Sequence, residues 1–418
     1  MIKYFSCTNF RNIRIDDLKF GRINLLIGPN NAGKTNLIRA LSFSANMVNS
    51  TTKNNPTGFL SEVQRNGSSA MLCRGSEDSS ISLRWRIALK NHEVDYSLAF
   101  KAGKDEDDCY IINESLDSAT ILPGNTKPFN FFCFHETPGQ GIISTAQQIG
   151  ESNRRIQVKA SQSESALLQF DKLLISNQDL IEQPYIRTTL FAMLEDMQGY
   201  FSKFFSYMSS QFDFDQIRQL RDPNLSGKFL LKDGSNFTNV YFQACKNDPD
   251  FKDRFLFKMR SMISDLEKIE IVEGLDKIGM KLFMSGSSFF LSEVSDGTIE
   301  ALLLALLTSL PKIQAPSLLA IDEPEVNLHP AWQSSLAKWI QTSGNFNQCF
   351  ISTHSSDFLD SFTEGFKSRI VNIFVCDKMG TGTFKPLDYN LVCEELDKGW
   401  LLGDLYRVND PSIGGWPW

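Results

Sequence analysis

Ile23-Asn24-Leu25-Leu26-Ile27-Gly28-Pro29-Asn30-Asn31-Ala32-Gly33-Lys34-Thr35 decides the fold. A short apolar run that stops at Gly-Pro reads as a buried strand. Asn36 to Leu41 then repeats at helical spacing. Between them, Gly28 to Thr35 fits the pattern G-x-x-x-x-G-K-[ST]. The glycines let the backbone curl, so that consecutive N–H groups from Asn30 through Ala32 and Gly33 to Asn36 point at phosphate oxygens. Lys34 would reach the β- and γ-phosphates, and the Thr35 hydroxyl would face Mg²⁺ at the positive end of the following helix. The competing reading is a chance match in a glycine-bearing turn. The strand before the match and the helix after it argue against chance.

Three stretches farther along could serve the same chemistry. Leu318-Leu319-Ala320-Ile321-Asp322-Glu323-Pro324-Glu325 is an apolar strand ending in carboxylates. Strand ends of α/β sheets form the ligand crevice. Asp322 would hold Mg²⁺, and Glu323 would orient and polarise the attacking water. The bland alternative is a strand that meets solvent in a polar turn. Ile351-Ser352-Thr353-His354-Ser355 places a histidine just past another short strand, within reach of a γ-phosphate, although a lone histidine is more often structural. Leu291-Ser292-Glu293-Val294-Ser295-Asp296-Gly297-Thr298 precedes the apolar helix Ala301–Leu310. A serine and a glycine at a helix N-terminus can hold an anion, but taken alone this stretch reads as an N-cap.

Composition sets the outer limits. The 418 residues carry 42 Lys and Arg against 49 Asp and Glu, a net charge of −7, which argues against coating nucleic acid by bulk charge. A local basic groove stays open. Asn153-Arg154-Arg155 with Lys159 is one small cluster, more often a solvated face. The eight cysteines form no C-x-x-C pair and read as reduced thiols, which with the absence of an apolar leader core or a membrane-length apolar run predicts a cytoplasmic protein.

The remaining pattern predicts a split molecule. Strand pairs are expected over Tyr4–Phe20 and Ile81–Phe100, with a further strand at Phe129–Phe134. From Ser161 to Ser209 the spacing turns helical, through Leu190, Phe191, Leu194, Met197, Tyr200, Phe201, Phe204 and Phe205, with the phenylalanines read as core or dimer interface rather than a base-stacking platform. Strand-like patterning resumes at Phe229–Phe242 and at Lys268–Phe290. Between Lys34 and Asp322 lie residues 35–321, too many for a minimal nucleotide-binding core, and no sustained heptads run through them. The expected organisation is residues 1–150 as the first part of a head, 151–265 as an inserted, mainly helical arm for dimerisation, and 266–418 as the second part of the head.

Together the motifs resemble the ATP-binding cassette ATPases of the soluble SMC/RecF-like branch. They are most similar to the ATPase module of the overcoming-lysogenization-defect (OLD) family and to ATPases of bacterial antiphage systems of the Septu and retron-associated type. The resemblance rests on Asn9-Phe10-Arg11-Asn12, Gly28–Thr35, Val294–Thr298, the string E-P-E-x-x-L-H-P at Glu323–Pro330, and Thr353-His354. It covers the first 50 or so residues and about 292–357.

The resemblance implies an α/β fold: an ABC-type ATPase head in which a P-loop mixed sheet is joined by an antiparallel β lobe. It implies a homodimer or higher oligomer whose heads sandwich two Mg-ATP molecules, with Ser295 and Gly297 gripping the γ-phosphate in trans. His354 would be the switch histidine, Lys34 and Glu323 would be catalytic, and Arg11 and Asn12 would lie near the nucleotide. Gln140, or else Gln147 or Gln148, would be the metal-side glutamine. Glu300 departs from the branch, which often has a basic residue there. OLD-like nucleases continue into a Toprim domain, whereas only residues 355–418 follow His354, without D-x-D. The expectation is an ATPase controlling a nuclease or toxin effector in trans. A RecF-type DNA clamp and an ATP-binding scaffold without turnover are the competitors. The tail Gly414-Gly415-Trp416-Pro417-Trp418 could anchor a partner or fold back on the body.

Overall fold

Ile23–Ile27 is buried at every residue and lies in a parallel sheet. The computed structural model describes residues 1–48, 58–67, 69–103, 108–145, 155–274, 276–377 and 382–413. The expectations for Gln147, Gln148, Asn153, Arg154 and the tail 414–418 lie outside these residues. The chain forms two units. One holds Met1–Gly21, Pro29–Phe204 and Cys376–Lys385; the other holds Arg22–Gly28, Phe205–Val375 and the chain from Pro386 onward. The segment expected as an arm is shared, with 155–204 in the first unit and 205–265 in the second.

The second unit is built on strands in the order Phe204–Met208, Leu318–Asp322, Gln348–Ser352, Ile23–Ile27, Val371–Asp377. Asp322 pairs with Ser352, Ser352 with Leu26, and Phe374 with Leu26, all in parallel register. The carboxyl ends of three strands therefore align, bringing Gly28, Glu323 and Thr353 to one edge of the sheet. Leu318–Asp322 and Gln348–Ser352 are fully buried, which is why they read as continuous apolar runs without alternation. Helix Asp296–Ser309 is buried from Ile299 to Ser309, and this stretch is apolar except for Glu300, Thr308 and Ser309. A three-stranded antiparallel sheet, Leu266–Gly274, Lys277–Met284 and Ser287–Phe290, completes this unit.

The first unit carries an eight-stranded antiparallel sheet built from strands between Ile2 and Lys159. Its core face follows the period-two pattern: Ile81, Leu83, Trp85 and Ile87 are buried. Trp85 stacks on Tyr96 at 5.6 Å and meets Phe201 edge-on at 6.2 Å. The Tyr200 hydroxyl accepts the Ile2 N–H at 3.1 Å, fastening helix Phe191–Phe201 to the sheet. The fold class is thus α/β, with a parallel core sheet and an antiparallel β lobe. No helix of the described residues is long and apolar enough to cross a membrane, and none of the eight cysteines is in a disulfide.

Two local expectations are corrected. Phe204 and Phe205 do not continue the helix; they open the strand Phe204–Met208, at the edge of the core sheet. Phe229–Phe242 is not a strand. Gly234, at φ 72°, turns the chain, and helix Phe237–Asn247 follows, burying Phe237, Val240, Tyr241 and Ala244 on one face. Those positions sit at i, i+3, i+4 and i+7, so the helical period was present but masked by the aromatic, strand-favouring residue types.

Candidate nucleotide site

In the first unit the phosphate loop runs into helix Lys34–Val48. Gly33 sits at φ 109°, and a Cβ there would lie 2.6 Å from Ile13 Cγ2 and 3.3 Å from Asn12 Oδ1. Only glycine fits, by conformation and by space. Asn31 takes the left-handed region at φ 64°, which asparagine tolerates best among the larger residues. Asn12 braces the loop: its Nδ2 donates to the Asn31 carbonyl at 3.0 Å, and its Oδ1 accepts from Asn36 Nδ2 at 2.7 Å. Ala32 and Lys34 are buried, whereas Asn30 and Asn31 are exposed. Lys34 Nζ donates to the Pro29 carbonyl at 3.0 Å, so the ammonium lies folded across its own loop. The Ala32 carbonyl accepts the Cys376 thiol at 2.8 Å.

Arg11 directs Nη2 to Asn66, 3.4 Å from its Oδ1. Burial, with Arg39 nearby, lowers the pKa of its guanidinium. Gln140 is exposed and opens the strand Gln140–Ser144; its carbonyl accepts the His135 N–H at 2.7 Å.

In the second unit the acidic strand end and the histidine segment form one hydrogen-bonded cluster. The Ser352 hydroxyl donates to Asp322 Oδ1. The Glu323 N–H donates to the Ser352 carbonyl at 3.1 Å and approaches its Oγ at 3.2 Å. Glu323 is held at φ 52°, a left-handed conformation that a glutamate adopts only when its surroundings enforce it. His354 Nε2 lies 3.0 Å from Glu323 Oε1. Glu325 anchors the histidine segment, since its Oε1 accepts the Thr353 hydroxyl at 2.6 Å, the His354 N–H at 2.9 Å and the Ser355 N–H at 3.3 Å. Burial pushes the Glu325 carboxyl up, partly offset by these donors. The sequence reading did not assign Ser352 or Glu325 a role. Their only signal was proximity to Glu323 and His354 in the strings I-S-T-H and E-P-E.

Ser295 caps helix Asp296–Ser309, its hydroxyl accepting the Thr298 N–H at 3.3 Å, which matches the cap reading. Arg218 ties down the preceding turn, with Nη2 donating to the Val294 carbonyl at 3.1 Å and to Asp296 Oδ1 at 2.5 Å. Gly297 is pressed against the Asn327 carbonyl, 2.6 Å from where a Cβ would stand. Glu300, the departure noted in the sequence, is fully buried, and its Oε2 accepts Asn327 Nδ2 at 2.7 Å. Asn327 therefore couples the turn after Glu323 to the turn at Ser295.

Residues 23–115 and 276–360 match the family model described as "AAA domain, putative AbiEii toxin, Type IV TA system". The matched residues include the loop Gly28–Thr35, the turn at Ser295, the acidic strand end at Asp322 and Glu323, and His354. Among solved structures, the chain is similar to the SMC head domain from Thermotoga maritima, at 13% identity and TM-score 0.45, covering 93% of this chain and 99% of that one. It is also similar to an SMC head bound to the C-winged helix domain of ScpA, at 12% identity and TM-score 0.47, covering 96% and 99%. A third is an Smc head domain with an extended coiled coil bound to the C-terminal domain of ScpA derived from Pyrococcus furiosus, at 10% identity and TM-score 0.48, covering 95% and 98%. No curated protein matches the chain.

Proposed function

We propose that this protein binds Mg-ATP on the loop Gly28–Thr35 and hydrolyses it, with Glu323 as the group that polarises the attacking water and His354 as its partner against the γ-phosphate. The observation that carries the reading is the Glu323–His354 contact at 3.0 Å on a strained strand end. Strained backbone clusters at active sites, which favours turnover over an ATP-binding scaffold. Thr35 and Asp322 offer hard oxygens of the kind Mg²⁺ takes. Among the described residues no cluster of three or more His, Cys, Asp or Glu stands ready to hold a metal. Mg²⁺ held at Thr35 and Asp322 would neutralise the charge of the nucleotide's phosphates. Two copies are proposed to close on two nucleotides, with Ser295 and Gly297 of one copy serving the other's loop. The ATPase would then control a nuclease or toxin partner in antiphage defence, as its motif resemblance suggests.

Turnover measured for wild type, Lys34→Ala and Glu323→Gln tests the core of this reading. Wild type should hydrolyse ATP, Lys34→Ala should neither bind nor hydrolyse it, and Glu323→Gln should bind without hydrolysis and run as a dimer in sizing experiments with ATP. A Glu323→Gln variant that stays monomeric would remove the sandwich. Co-purification of neighbouring gene products tests the effector, and full defence activity by this protein alone would remove it.

A further inference from the structure

The last described α-helix, Leu402–Arg407, is tied to two of the strand ends that carry the site. The Tyr406 hydroxyl accepts the backbone N–H of Gly28, the first glycine of the phosphate loop. The Tyr406 ring is half-buried against the core. One residue on, Arg407 spans helix Ser356–Asp360, which begins two residues after His354: Nη2 reaches Asp357 and also Asp360 Oδ2 at 2.8 Å, while Nη1 holds Asp404 at 2.7 Å. Gly403 permits this approach, because a Cβ there would collide with the Ser356 carbonyl and with the Asp360 carboxylate. The Leu402 N–H donates to Thr363 Oγ1 at 3.1 Å, and Leu402 and Leu405 are buried. Four polar contacts from one six-residue helix thus fall on Gly28 and on the segment following His354.

We propose that Tyr406 and Arg407 are positioning residues for ATP turnover. Tyr406 fixes the backbone of Gly28, and Arg407 fixes the helix that sets where His354 stands. Neither touches the reacting atoms. The two act on different steps, because Gly28 belongs to nucleotide binding and His354 to hydrolysis. The C-terminal helix then works as a clasp, and a force applied to it would be felt at the site. The inference rests on the ATPase reading given above.

The test uses the full chain and its variants Tyr406→Phe, Arg407→Ala and Arg407→Lys. Loss of one hydrogen bond to Gly28 should raise the KM for ATP about fivefold, with kcat within about twofold of wild type. Arg407→Ala should lower kcat about tenfold at nearly unchanged KM, and Arg407→Lys, which keeps the charge, should recover most of the loss. Hydrogen exchange should quicken in peptides spanning 23–33 for Tyr406→Phe and 351–361 for Arg407→Ala. Variants that melt earlier yet keep KM and kcat within twofold would overturn the proposal, because the helix would then be structural only. If wild type and Lys34→Ala are equally inactive, the ATPase reading has failed instead. The exchange experiment then still decides the clasp, which falls if both peptides exchange as in wild type.

Discussion

His354 Nε2 stands 3.0 Å from Glu323 Oε1, with both side chains part-exposed, at 30% and 39%. The pair is reachable by water and by a ligand, yet each member is held from behind. The Glu323 backbone is fixed by Ser352, and the His354 backbone by Glu325. Such an arrangement limits the directions in which the carboxylate can accept a proton from water.

Glu323→Gln should lower kcat by on the order of 100-fold or more while leaving ATP binding intact. His354→Ala should lower kcat as well, and the double variant should lose little beyond the larger single loss, because the two act as one unit. Steady-state turnover of the three variants checks this. Additive losses would mean that the contact is incidental.

Gly33→Ala should weaken nucleotide binding and destabilise the first unit by about 1–3 kcal/mol. The added methyl meets both a disallowed φ and the Ile13 side chain. Calorimetric ATP binding and a thermal melt read the two effects, and the destabilisation should persist without nucleotide.

Glu325→Ala leaves the Thr353 hydroxyl and the His354 N–H without their acceptor, while the Ser355 N–H keeps Thr353 Oγ1 at 3.0 Å. Stability should fall by about 1–3 kcal/mol, and turnover should fall with it as His354 loses its fixed backbone. Wild-type turnover in a correctly folded Glu325→Ala protein would show that the histidine segment needs no anchor.

A pH effect should arise in the β lobe. Glu114 is fully buried, accepting Tyr96 Oη–H and the Ala166 N–H, each at 2.7 Å. Burial raises its carboxyl from 4.5 to about 7, partly offset by those donors. The folded state thus holds the proton more tightly than the unfolded chain. Its stabilising contribution is complete below 4.5 and is lost as pH rises through about 7. Relative to Glu114→Gln, wild type should therefore lose stability across that window, read by urea midpoints at several pH values. Parallel curves for the two proteins would exclude the effect.

The fold's core was legible where one residue type answers one physical demand. Gly33 and Lys34 announce a phosphate loop, and the apolar run Leu318–Ile321 announces a strand buried on both faces. Local period failed where aromatic residues suit either element, at Phe204 and at Phe237–Tyr241. In the candidate site, the acidic and histidine residues could be singled out from the sequence but their bracing could not. Ser352 meets Asp322, and Glu325 meets Thr353, across about thirty residues of sequence, and nothing local to either strand records which partner will arrive. Arg11 shows the same limit: its motif does not record that it meets Asn66, far along the chain.

Strand Ile23–Ile27 is flanked on both sides by strands from the far end of the chain, Gln348–Ser352 and Val371–Asp377. During synthesis it therefore leaves the ribosome long before either neighbour exists. At about 5–20 residues per second, its two hydrogen-bonding edges stay open for roughly 20–70 seconds. An apolar strand with open edges is a template for pairing with the wrong chain. Production of this protein should thus be unusually sensitive to elongation rate and to chaperone supply, and the penalty for a stalled ribosome should be greatest after residue 27 and before about residue 375.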